Sequence, residues 1–331
     1  MKLLGLGILP LVLALKRRTE GTPQMPETLE LVLGNAAAPS RHLPEKFVNL
    51  NAQRINATKL QYLRCDPKAP PLADGERCRP YSGEELHFTP RPLKLVLGVM
   101  AMTSQSAIQE SHRNTWMKNP GVCSMSQHKD PRCKIFPVFV FGDAGGATTK
   151  LPDAVTLENV PEPPQQWDGF EDTKHEAGWK RSWWTSQFKT PAWLAYAKQF
   201  HWATHVGKMD SDTFPDVLSI MEDLASKPVT RFGEEWPVVY GRHFMGGYNG
   251  KGGMFGEFYA ISFQLLECFL KEDAKKHPRS GIINGRNSTW GAEWWAHAED
   301  QVLRTTLFHA EEEHVCPKML DANADRWQHP V

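Results

Sequence analysis

Asp210 and Asp212 stand one residue apart in "THVGKMDSDTFPDV", residues 204 to 217, just past a short apolar run and just before a run of helical spacing. Two carboxylates on a tight strand-to-helix turn point the same way and can share one hard divalent cation with diphosphate oxygens. Magnesium or manganese suits such a pair, because oxygen ligands satisfy either ion and open positions remain for a substrate phosphate. The cation then neutralises charge that builds up on a phosphate leaving group. An Asp-rich turn also serves simply as a solvated turn. The pair therefore carries chemistry only if a strand ends behind it at a ligand crevice.

The flanking elements are of that kind. "LKLVLGVMAM" (93 to 102) and "KIFPVFVFG" (134 to 142) are continuous apolar runs of buried-strand length, with "SAIQESHRNTWM" between them as a helix. Strand, helix, strand is the order of an α/β unit with a parallel sheet. "KTPAWLAYAKQF" predicts a helix with Thr190 as N-cap, Pro191 at the first position, and Trp193, Tyr196, Ala197 and Phe200 on one face. The strand "THVGKM" follows, so the aspartates fall at its C-terminal end, where open α/β sheets keep their ligand crevice. After them Pro215 opens a helix with Val217, Ile220, Met221 and Leu224 inward. "WPVVYGRHF" (236 to 244) is a further strand, and a glycine-rich loop leads from it into one more. Ser262 is placed to cap the helix "FQLLECFLKEDAKK", and a last helix, "AEWWAHAEDQVLRTTLF", carries Glu299 and Asp300.

The rest of the chain bounds the class. Its 331 residues hold 38 basic and 38 acidic side chains, so no net field draws nucleic acid or an anionic membrane to the whole molecule. Twelve tryptophans are the compositional oddity; several cluster in "WKRSWW" (Trp179, Trp183, Trp184) and "STWGAEWWAHAED" (Trp290, Trp294, Trp295). Burial is the default for most of them. "MKLLGLGILPLVLALKRR" is shorter than the roughly 20 residues a transmembrane helix needs and reads as a secretory-pathway segment, a signal peptide or a short anchor over residues 1 to 18. Residues 19 to 90 are rich in Pro and polar side chains and read as a stem or an irregular first layer, with the main domain from 91 to 331. The sequons at Asn56 and Asn287, and polar loops bracketed by Cys65/Cys78 and Cys123/Cys133, fit a lumenal, oxidising compartment. Cys268 lies in an apolar run and is expected to be buried. No C-x-x-C spacing occurs, which argues against structural zinc.

Four further segments join the aspartates in a pattern. "KMDSDTF" (Lys208 to Phe214) resembles the K-x-D-x-D-x-F segment of the β-1,3-galactosyltransferase and Fringe-like glycosyltransferases. "ESHRNTW" is similar to the I-R-x-T-W element of that family, matching at Arg113, Thr115 and Trp116. "VFVFG" (138 to 142) resembles its strand ending in glycine, "FKTPAWLAYA" its K-T helix, and "HAEDQVL" (297 to 303) its E-D-V element, all in the family's order. The resemblance implies a GT-A type fold: an α/β nucleotide-sugar-binding sheet, mostly parallel and flanked by helices. It implies a Mn²⁺ (or Mg²⁺) ion, a UDP-sugar donor such as UDP-galactose or UDP-N-acetylhexosamine, a glycan acceptor and a Golgi-lumenal location. Transfer would invert the anomeric carbon and form a β-1,3 linkage.

Carried residue by residue, the resemblance makes Asp212 a metal ligand and Asp210 a contact to the ribose or the metal's water shell. Arg113 and Lys208 join the cofactor-binding set, Asp300 is the general base, and His329 in "RWQHPV" is the nearest match to a histidine metal ligand. Independent chemistry agrees on the base, since an inverting displacement needs a carboxylate opposite the departing diphosphate. Ser211 replaces the family's middle aspartate, His112 its isoleucine, and its glutamate-tyrosine-glycine-aspartate element is not recognisable. Two other readings use the same residues. One is a metal-dependent phosphohydrolase with Asp210 as nucleophile, whose D-x-D-x-T/V pattern is broken by Phe214. The other is a lectin-like relative that no longer catalyses transfer.

Overall fold

The structure is a computed structural model of the chain. It describes residues 60–65, 78–80, 86–143, 151–158, 160, 162, 189–230, 232–244, 253–276, 303, 307, 316–317, 319–324 and 327–328. All of them lie in one compact unit, His42–Val331. The apolar N-terminal segment, both sequons, both tryptophan clusters, the loop 245–252, Glu299, Asp300 and His329 lie outside the described residues. Among the described residues no helix is long and apolar enough to cross a membrane.

Two parallel apolar strands form the centre, as their sequences require. β4 (Leu95–Met100) and β5 (Ile135–Gly142) are buried along their whole length. They pair in parallel with Leu95 opposite Ile135. β6 (Ala154–Leu157) adds to the far side of β5, and β7 (His205–Asp210) pairs in parallel with the other side of β4. Beyond β7 come β11 (Gly253–Ser262), β10 (Val238–Phe244), β12 (Leu320–Asn323), β1 (Gln61–Cys65) and β2 (Cys78–Pro80). The order of this nine-stranded sheet is β2-β1-β12-β10-β11-β7-β4-β5-β6. Among the described strands, β11 and β1 run against all the others. Helices cover both faces, so the expected α/β class, a mostly parallel central sheet flanked by helices, is the one the chain adopts.

The two faces bury separate cores. On one, α2 (Thr190–Ala197) and α4 (Phe263–Lys276) cover Val96, Val140, Val206 and Ile261 with Trp193, Leu194, Leu265 and Phe269. On the other, α1 (Ser106–Asn114) sets His112 against Phe139 and Phe214, and α3 (Val217–Leu224) packs Val217, Ile220 and Leu224 on Leu97, Val99, Phe139 and Met209. Right-handed crossovers explain the division. The β4-α1-β5 step moves outward, the β6-α2-β7 step moves back past β4, and reversed travel puts the two helices on opposite faces. Each wholly buried aliphatic or aromatic side chain of these cores contributes roughly 1.5–3 kcal/mol.

Several boundaries differ from expectation, each for a local reason. Thr190 is not the N-cap of α2: Lys189 occupies that position in helical geometry, and the buried Thr190 hydroxyl has no hydrogen bond among the described residues. Pro215 does not open α3 but lies in the short strand β8 (Phe214–Pro215), and Asp216 is the cap, accepting from the Ser219 amide at 3.1 Å. The Ser262 hydroxyl accepts from the Val238 amide of β10 at 2.9 Å, so it stitches the sheet. Cys268 is only half-buried, and it forms a disulfide with Cys316, while Cys123 pairs with Cys133 as its spacing suggested. The sheet also reaches back across the stretch expected to be stem or irregular layer: β1 and β2 belong to it, and β3 (Leu86–Pro90) pairs with β9 (Ser226–Thr230).

Candidate functional site

The strand order locates the crevice. β4, β5 and β6 progress one way and β7 lies on the other side of β4, so the order reverses between β4 and β7. Ligands of open α/β sheets bind beyond the carboxyl ends of strands at such a reversal. Met100 at the end of β4 is the register partner of Asp210 at the end of β7. The aspartate pair therefore stands at the switch point.

The chain turns sharply there. The Thr213 amide donates to the Asp210 carbonyl at 3.2 Å, closing a four-residue turn with Ser211 and Asp212 at its centre. Asp210 is half-buried and Asp212 exposed. Thr213 is wholly buried, and among the described residues its hydroxyl has no hydrogen-bond partner.

Lys208 lies two residues before Asp210, hence on the same face of the strand. Only 1% of its side chain is exposed, and its ammonium pairs with Asp210 Oδ1 at 2.5 Å and donates to the Gly256 carbonyl of β11. A buried ammonium requires such partners. The result splits the roles of the two carboxylates: Lys208 offsets the charge of Asp210, and Asp212 is the more exposed carboxylate at the tip.

The turn is also gripped from α1. The His112 ring, wholly buried, bonds the Ser211 carbonyl through Nε2 at 2.6 Å and receives the Trp116 indole N–H at Nδ1 at 2.7 Å. Because an indole N–H only donates, Nδ1 must accept, and the proton sits on Nε2. Phe214 stacks on the same ring with centroids 4.5 Å apart. Burial lowers the pKa of His112 to about 4, so the ring is neutral at physiological pH.

Behind the crevice lies a second buried charge pair. Lys189 Nζ donates to Glu162 at 2.7 Å and to the Ala101 carbonyl, just past β4, at 2.6 Å. Glu162 in turn accepts the Gly142 amide at the end of β5 at 2.6 Å. The pair ties the carboxyl ends of β4 and β5 to the start of α2. Burial lowers the pKa of Lys189, and the Glu162 carboxylate opposes that shift.

Lys208, Asp210 and Asp212 are thus brought together as expected, whereas Arg113 is engaged elsewhere. It donates to both oxygens of Asp153 at 2.7 and 3.1 Å and lies 4.8 Å above the Phe139 ring, fastening α1 to the start of β6. Asp300 and His329 lie outside the described residues. The last described strand nonetheless ends beside the turn: β13 (Trp327–Gln328) pairs with β8, Gln328 opposite Phe214.

His112, Lys189 and Glu162 are the residues that sequence reasoning missed. The signal for His112 was its four-residue spacing to Trp116 in a run that reads as one helix, although α1 ends at Asn114 and Trp116 lies in the short turn that follows. For Lys189 and Glu162 no local signal exists, since their partners come from three separate strands and helices.

The donor set suits a hard divalent cation. Among the described residues no group of three or more His, Cys, Asp or Glu side chains converges, so the acidic donors described at the site are the two carboxylates. Magnesium and manganese sites commonly have that form, with water and phosphate oxygens completing the shell. The unpartnered buried hydroxyl of Thr213 is one more oxygen beside the pair.

No family model matches the chain, and no curated protein matches it. Among solved structures it is similar to a galactosyltransferase, LgtC, in complex with donor and acceptor sugar analogues, at 17% identity and a TM-score of 0.32, over 65% of this chain and 70% of that one.

Proposed function

We propose that the chain is a metal-dependent, inverting glycosyltransferase of GT-A type, a divergent relative of the β-1,3-galactosyltransferases and Fringe-like enzymes. It moves a hexose or N-acetylhexosamine from a UDP-sugar to a glycan acceptor. One observation carries the reading: the D-S-D turn follows β7 at the switch point of the sheet, with one carboxylate charge-balanced by a buried lysine and the other at the tip.

In this reading Asp212 would hold a Mn²⁺ or Mg²⁺ ion, with His329 as a further ligand, and a bound ion would supply positive charge beside the departing diphosphate. Asp210, fixed by Lys208, contacts the ribose or the ion's water shell. Asp300 takes the proton from the acceptor hydroxyl on the opposite side of the sugar, as inversion requires. The β8–β13 ladder supports the role of His329, because it delivers the residue before it, Gln328, to the register position of Phe214. A contact from Arg113 to the nucleotide would require it to release Asp153.

The pairing of Cys123 with Cys133 and of Cys268 with Cys316 supports an oxidising compartment, the Golgi lumen, with the segment 1–18 as signal or membrane anchor. The participation of β1 in the main sheet favours a stem that ends before Gln61 and a catalytic domain that starts there.

The test is calorimetric titration of UDP into the full chain, with and without Mn²⁺, in wild type and Asp212→Ala. Binding that needs Mn²⁺ and weakens at least tenfold in the variant, about 1.4 kcal/mol, is the expected result. Absence of binding, or binding indifferent to both metal and Asp212, would falsify the reading and favour the phosphohydrolase or the lectin-like alternative.

A further inference from the structure

We infer that His112, locked by Trp116, is a positioning residue for the aspartate turn: it reaches from α1 to the Ser211 carbonyl and sets the direction in which Asp212 is presented. The consequence for catalysis rests on the function proposed above, while the grip itself stands on the geometry alone.

Four observations converge on the imidazole. Ser211 lies at the centre of the turn closed by Thr213 and Asp210, and its carbonyl belongs to the peptide plane from which Asp212 departs. Only one backbone acceptor of that plane is available to fix it, and His112 Nε2 bonds it at 2.6 Å. The ring cannot rotate away without losing the Trp116 indole bond at its other nitrogen, and it cannot tilt without leaving Phe214, stacked at 4.5 Å. Trp116 is itself 2% exposed and packed in the core beneath the sheet, so the anchor is rigid.

Thus position, tilt and tautomer are all determined by neighbours. Burial keeps the ring neutral, and of the charged groups facing it Asp212 favours protonation and Arg113 opposes it. A neutral Nε2–H imidazole is the form the turn needs, since it donates one bond and accepts one.

The experiment compares wild type, His112→Phe and Trp116→Phe full-length chains by amide hydrogen exchange and by Mn²⁺-dependent UDP titration. His112→Phe keeps the stacking on Phe214 and removes both hydrogen bonds. The Thr213 amide, which closes the turn, should exchange at least tenfold faster in this variant, relative to the amides of β7, and UDP affinity should fall at least tenfold. Trp116→Phe leaves the ring in place but releases its tautomer, so a smaller change in the same direction is expected; it also serves if His112→Phe fails to fold.

Uniform acceleration of all amides would make His112 a core residue only and overturn the inference. So would a Thr213 amide and a UDP affinity both unchanged from wild type. Faster exchange confined to the turn in a chain whose wild type binds no UDP would uphold the grip and remove the transferase reading.

Discussion

At the residue scale the candidate site is a set of charges whose values are fixed by burial. Lys208 is held by Asp210 and a backbone carbonyl, Lys189 by Glu162 and another, and both lysines are shut away from water. Two histidines are buried neutral. Burial lowers His112 to about 4 and pushes His205 well below the ordinary value near 6.5, the latter helped by Arg91, whose Nη2 donates to its Nε2 at 2.6 Å. In the unfolded chain each would take up a proton as pH drops through about 6.5. Below that pH the unfolded state holds more protons than the folded one, so stability falls with acid, and for His112 the loss continues to about pH 4, where the folded ring protonates too. By that pH the His112 contribution amounts to about 3 kcal/mol. The melting temperature should therefore fall by several degrees from pH 7 to pH 5, with a smaller fall in His112→Phe; a flat profile would contradict the buried neutral state.

At the element scale the decisive contact is between α2 and the central strands. Trp193 donates its indole N–H to the Gly207 carbonyl of β7 at 2.9 Å and lies against Gly98 of β4 so closely that a Cβ there would come within 2.4 to 2.8 Å of its ring atoms. Gly98→Ala should cost about 1–3 kcal/mol, the range of overpacked cores, read as a lower denaturant midpoint. An unchanged midpoint would mean that the indole does not sit there. This contact marks the limit of what the sequence discloses. The apolar runs of β4 and β5, the helical face of α3, the whole of α4 and the placing of the aspartates at a strand end were all legible, because each depends on periodicity within its own segment. Gly98 as the seat of Trp193, Lys189 between two strand ends and the pairing of β1 with β12 were not. They depend on which distant strand lies alongside, and local pattern carries no record of that. The short strands β8, β9, β12 and β13 escaped for a second reason: they are held by their ladders and by no hydrophobic repeat of their own.

At the scale of the whole molecule, two disulfides among the described residues close loops of very different size: Cys123 and Cys133 are 10 residues apart, Cys268 and Cys316 are 48. In the chain-entropy account the longer closure restrains the unfolded state more, by about 4 kcal/mol against about 3. Replacing Cys268 and Cys316 with alanine should accordingly lower the urea midpoint more than replacing Cys123 and Cys133; the reverse order would mean that local packing outweighs closure. The long closure also encloses Asp300, so the same variant bears on how firmly the proposed base is carried. The sheet order has a further consequence. β12, near the end of the chain, is the strand that joins β1 to β10, and β1 in turn holds β2. While the ribosome is still adding residues, the earliest strands have no place in the sheet and the partner of β8 does not yet exist. This part of the sheet can close only after synthesis of β12, so nascent chains would wait with an open sheet edge, and at that stage a chaperone would be needed most.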